Sequence, residues 1–161
     1  MRNSEFESLF QDHAGDLFAF LAYRLGDRSA AEDVLAEAFE RALRARGRYD
    51  PSRASAKTWL YSIALNCLRD QRRRAAAESR AMERVLVGVA AGGDNWIARV
   101  EDREQLWRAL GALSEEEREA IALRYGGDLT APEMATVLGE KLTTVEGRIY
   151  RALRKLRDEL D

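Results

Sequence analysis

The chain has one cysteine, one histidine and two prolines among its 161 residues. A single cysteine excludes an internal disulfide and any cysteine-built zinc cage, and makes a reducing cytoplasm the expected compartment. The lone histidine, His13, falls within the expected first helix, where a packing or partly exposed role is expected, and Cys67 falls on an apolar helical face. Neither forms part of a catalytic constellation, so the chain is not expected to be an enzyme, and no cofactor or metal is expected. Nothing resembles a signal peptide, and no apolar run reaches the eighteen residues that would span a bilayer, so membrane insertion is not expected. With so few prolines, only 11 glycines, and abundant Ala, Leu, Arg and Glu, the composition favours helix, and no alternating strand pattern of useful length occurs. This length can bury one ordinary core or two small ones.

Charge is what the sequence has in plenty, and it is segregated. The net charge is only −2. Residues 1–40 nevertheless carry three basic and nine acidic side chains (3 − 9 = −6), whereas residues 41–74 carry ten basic and two acidic ones (10 − 2 = +8). A sign change of that size within one domain points to two partners of opposite charge, the alternative being two solvated faces.

Apolar periodicity predicts a first helix from Ser4 to Leu25, ended by Gly26, and a second over residues 29–44 opened by a Ser29–Glu32 capping box. Its outward face carries Asp33, Glu37 and Glu40, followed by Arg41 and Arg44. RGRYDPSRAS, residues 46–55, reads as a loop. Helix resumes near Ser55 or Ala56, with Trp59, Leu60, Ile63, Ala64, Cys67 and Leu68 on the apolar side and a polar stripe of Thr58, Ser62, Asn66, Arg69 and Arg73. The glycine-rich VGVAAGGDN lies in a linker over residues 80–96. Beyond it the spacing predicts a helix from Ile97 to Leu113, then capping boxes at Ser114–Glu117, Thr130–Glu133 and Thr143–Glu146. The last helix would bury Val145, Ile149, Ala152, Leu153, Leu156 and Leu160, and turn Arg148, Arg151 and Lys155 outward. A short helix, a glycine turn and a longer basic helix is the layout of a helix-turn-helix, whose second helix enters the major groove. The residues alone leave open an ordinary helical hairpin with a solvated basic face, and with it a duplex-binding regulator or a protein-binding adaptor.

Together these blocks resemble the extracytoplasmic-function (ECF) group of sigma-70 family transcription initiation factors. The resemblance is carried by SAAEDVLAEAFERALR, RYDPSRASAKTWLYSIALNCLRDQRRR, LSEEEREAIALRYGGDLTAPEMATVLG and TTVEGRIYRALRKLRDEL, in that order. It implies an all-α fold of two small helical domains joined by a flexible linker. Residues 1–79 would bind core RNA polymerase and recognise and melt the minus-ten element, and residues 97–161 would be the helix-turn-helix for the minus-thirty-five element.

The resemblance also assigns tasks to side chains. Asp33, Glu37, Glu40 and Arg41 would meet the clamp coiled coil of the polymerase, whose flap would be a further contact. Tyr49, Trp59 and Tyr61 would offer unstacked bases a surface, with Trp59 equally suited to the core. Arg53, Lys57, Arg69, Arg72, Arg73 and Arg74 would track phosphates, and Asn66 would read a base edge. Thr143, Thr144, Arg148, Arg151 and Lys155 would bind the upstream duplex. Glu140, Lys141 and Glu146 depart from the family pattern, which has apolar, small polar or basic residues there. The implied partners are core polymerase, promoter DNA and an anti-sigma factor, in a bacterial cytoplasm.

Overall fold

A computed structural model describes residues 1–78 and 103–160 of the chain. Among the described residues there are helices, turns and loops and no strand. The predicted first helix is α1, Asn3–Leu25, which stops at Gly26 with φ 68°. Helix α2 spans Arg28–Ala45. It starts differently from the expected Ser29–Glu32 box. The cap is Asp27, whose carboxylate accepts from the Ser29 and Ala30 amides at 2.9 and 3.4 Å. An aspartate there satisfies the same orphan donors and adds a negative charge at the positive end of the helix.

The loop that follows contains a 3-10 turn at Arg46–Arg48 and a local bond from the Ser52 amide to the Asp50 carboxylate at 2.9 Å. Ser55 then opens α3, Ala56–Glu78, by accepting from the Thr58 amide at 3.1 Å. The linker expected over 80–96, and the first part of the helix expected from Ile97, lie outside the described residues.

The second half begins with α4, Arg103–Gly111. Ser114 and Glu117 form the predicted reciprocal box at the head of α5, Glu115–Ile121, which runs on into a π-helical stretch, Ala122–Gly126. Thr130 and Glu133 form the next box, opening α6, Ala131–Leu138, which ends at Gly139 with φ 66°. Helix α7 is Leu142–Leu160. Its start corrects the expected Thr143–Glu146 box. The Val145 amide donates to the Lys141 carbonyl at 3.1 Å, so Thr143 and Glu146 lie inside the first turns, both exposed.

Helices α1, α2 and α3 pack together through Leu17, Leu21, Val34, Ala38, Leu65 and Leu68. Helices α4 to α7 pack through Leu110, Ile121, Met134, Val145 and Ala152. These cores are continuous. The π-helical stretch rests on α1, and α6 rests on α3. Leu160, expected inside, is instead exposed, and so are Phe10 of α1 and Leu43 of α2. Cys67 is fully buried, as expected of a small core residue, and burial pushes its thiol up to about 11.

Candidate nucleic-acid and polymerase interfaces

Helix α3 brings most of the predicted melting residues onto one rod. At its head Tyr49 and Trp59, both half-buried, meet with ring centroids 5.1 Å apart at 48°. The Tyr49 hydroxyl donates to the Ala54 carbonyl at 3.0 Å, which fixes the loop against the helix. Asn66 and Arg53 are exposed. Toward the end of α3 the side chains of Arg69, Arg73 and Arg74 are 49%, 77% and 57% exposed. Asp70 sits among them, bonded to Arg73 and accepting from Arg41 at 3.2 Å. The Arg73 bond, helped by Arg41, holds its carboxyl below the usual range against the opposing effect of burial.

The other predicted melting residues face the second half of the chain. Tyr61 is buried, tilted on Phe20 at 6.1 Å and pressed on Gly127. A Cβ at position 127 would lie 3.0 Å from the Tyr61 ring and 3.0 Å from the Leu123 carbonyl oxygen. Lys57 donates to the Asp128 carbonyl at 2.8 Å, and Thr58, buried rather than on an outward polar stripe, donates to the Glu133 carboxylate at 3.3 Å. Arg72 pairs with Glu115 at 3.1 Å and donates to the Arg24 carbonyl at 2.6 Å, while Arg69 lies 3.6 Å from Glu119. Arg24 completes the cluster. Its side chain is only 3% exposed, and it reaches Glu115 at 2.8 Å and Glu119 at 3.7 Å. Burial alone would raise the Glu115 carboxyl, but Arg24 and Arg72 outweigh it and hold the group at about 2.

Sequence reasoning missed Arg24, although the signal was present. Leu17, Phe20 and Arg24 recur at helical spacing, which puts the arginine on the buried stripe. It also missed Phe10 and Leu43, which lie exposed at 49% and 42%. Phe10 packs edgewise on Phe39 at 4.8 Å, and Leu43 is one turn beyond Phe39 on α2. They give α2 an apolar margin beside its acidic stripe. On that stripe Asp33 is exposed, Glu40 bonds Arg44, and Glu37 bonds Arg41 and lies 3.4 Å from Arg74.

On α7, Thr143, Thr144 and Arg151 are exposed. Lys155 reaches back to Glu117 of α5 at 2.7 Å. Arg148 is held by Glu140.

Comparison with known proteins fits this division. Residues 9–78 match the family profile for Sigma-70 region 2, and residues 103–156 match that for Sigma-70, region 4. The ECF RNA polymerase sigma factor RpoE of Cereibacter sphaeroides is 34% identical, with 96% of this chain and 86% of that protein aligned. This chain belongs to the sigma-70 family, in its ECF group. Sigma factors of this family are non-catalytic subunits of RNA polymerase that direct promoter recognition and initiation. The RNA polymerase sigma factor CarQ of Myxococcus xanthus is 33% identical over 96% of this chain and 88% of that one. Among solved structures, CnrH in complex with the cytosolic domain of CnrY shares 31% identity at a TM-score of 0.70, covering 99% of this sigma factor and 90% of that chain. RpoE in complex with the anti-sigma factor NepR from Bartonella quintana shares the fold, with a TM-score of 0.79 over 98% of this chain and 97% of that chain at 23% identity.

Proposed function

We propose that this sigma factor captures the unpaired non-template strand of the minus-ten element on the head and outer stripe of α3. The observation that carries this is the Tyr49–Trp59 ring pair at the head of a helix whose exposed positions include Asn66, Arg69, Arg73 and Arg74. Strand opening sacrifices base stacking, and an aromatic platform beside guanidinium groups returns part of it while neutralising phosphate. Arg53 and Lys57 flank the platform. Tyr61, Arg69 and Arg72 contact the region 4 half here, so full engagement of α3 requires DNA to displace the α5 carboxylates from the arginines.

Promoter duplex upstream would meet the outer side of α7, through Thr143, Thr144 and Arg151, while Arg148 and Lys155 are held by Glu140 and Glu117. Core polymerase would meet α2. Asp33, Glu37, Glu40 and Arg41 would orient the clamp coiled coil, with the flap as a further contact, and exposed Phe10 and Leu43 would supply apolar area; charges at a rim chiefly set rate and register. A solved relative is bound to an anti-sigma factor, and an inhibitory protein of that kind is the proposed regulator here. No described helix is long and apolar enough to cross a membrane, and a bacterial cytoplasm, where the polymerase works, is the proposed location. The protein itself would catalyse nothing.

The test adds purified protein to core polymerase on candidate promoter fragments. Promoter-dependent open complexes that need both components are expected. Duplex binding without core would instead favour a regulator, and no effect of either kind would favour an adaptor.

A further inference from the structure

Glu140 is where this chain departs from its family's usual turn, and it is engaged. Directly after Gly139, it meets Arg148 fork to fork, with Arg148 Nη1 donating to Oε1 at 3.0 Å and Nη2 donating to Oε2 at 2.7 Å. Two parallel bonds of this kind occupy the same edge of the guanidinium that would otherwise grip guanine or a phosphate. The Arg148 side chain is 13% exposed. On α7 it stands three residues after Val145 and four before Ala152, both fully buried, so it belongs to the inward side of the helix. Glu116 and Glu119 of α5 also favour its charge, after Glu140 itself. The exposed side of α7 runs through Thr144 and Arg151, with half-buried Gly147 between them. Arg151 lies back along that glycine, where a Cβ would come within 3.2 Å of its Nη1.

We propose that Glu140 and Arg148 form a positioning clamp that ties the turn of the helix-turn-helix to α7, and that minus-thirty-five readout falls to Thr144 and Arg151. An unpaired carboxylate at the mouth of a DNA-binding turn would repel phosphate. Spent on Arg148, it carries little net field and fixes the angle at which α7 is presented. The clamp therefore sets sequence preference without contacting a base, and it withholds one guanidinium from the DNA. This rests on the reading of α7 as the upstream promoter helix.

The experiment uses holoenzyme assembled from core polymerase and the full chain. Open complexes are selected from a promoter library randomised over the minus-thirty-five element, and the salt dependence of binding is measured on the selected sequences. The charge-swapped variant E140R/R148E rebuilds the pair in reverse and should keep the wild-type base preferences. E140A releases Arg148 and should steepen the slope of log affinity against log salt by about one. R151A should relax preference at particular base pairs. Loss of preference in E140R/R148E with normal folding by circular dichroism, or an unchanged slope in E140A, overturns the clamp. If E140R/R148E does not fold, the E140A slope decides alone. A wild-type library without upstream preference, unaltered by R151A, overturns the reading of α7 itself, and the clamp with it.

Discussion

At the scale of single residues, the structure turns on a few contacts that composition and spacing do not reveal. Gly127 allows the Tyr61 ring to press on the turn after the π-helical stretch, against a backbone carbonyl that cannot yield. Gly127→Ala should therefore cost about 1–3 kcal/mol, the usual range for overpacking, and separate α3 from the region 4 half. Denaturant unfolding measures the loss, and unchanged stability would contradict the contact. Cys67 gives a second test. With its thiol held up near 11 by burial, it should react with a thiol reagent at neutral pH far more slowly in the folded protein than in denaturant. Rapid labelling of the native chain would place it elsewhere. The sequence identified Cys67 as core correctly, since an apolar helical face suffices for that. It could not place Tyr61, because its burial depends on a surface some sixty-six residues away in the chain, at Gly127.

At the scale of elements, legibility followed locality. The boxes at Ser114 and Thr130 form as expected, Ser114 and Thr130 themselves being the caps of their helices. The expected boxes at Ser29 and Thr143 do not form, since Asp27 and Lys141 start those helices earlier. Charged stripes were legible as faces, whereas their partners were not. The α3 arginines meet the first turns of α5 through pairs that bridge more than forty positions in sequence. Glu115 gives that junction a pH signature. Its carboxyl is depressed from 4.5 to about 2, so its contribution is present above about 4.5 and is lost as pH falls through the folded value near 2. Between neutrality and pH 5 the junction should hold unchanged. Scattering across an acid titration would show it, and loosening already between pH 7 and 5 would contradict the assignment.

At the scale of the whole molecule, two helical halves share one continuous core and an ion-paired seam. The family and the two-domain division were legible because each half carries its own periodicity and caps. Their docking was not, because it joins distant faces. The free protein should be compact, with a radius of gyration of roughly 15 Å. Substituting both Glu115 and Glu119 with Ala strands Arg24, which is almost wholly buried. Stability should fall by about 3 kcal/mol, or the halves should separate, because a buried guanidinium would be left without its carboxylates. Neither change in scattering nor in unfolding would mean the seam contributes nothing. The same substitutions take the α5 carboxylates away from Arg69 and Arg72, so promoter binding by the holoenzyme should not weaken.

The proposed function depends most on α3 accepting bases that have left the duplex. The direct measurement is the fluorescence of 2-aminopurine placed in the non-template strand of the minus-ten element, followed as holoenzyme forms an open complex. With wild-type protein the signal should rise on opening. With Trp59→Ala, Asn66→Ala and Arg73→Ala combined, the protein should still bind core polymerase while the rise is lost or slowed at least about tenfold, the equivalent of one good stacking or charge contact. A rise of undiminished rate and size in that variant would contradict the account.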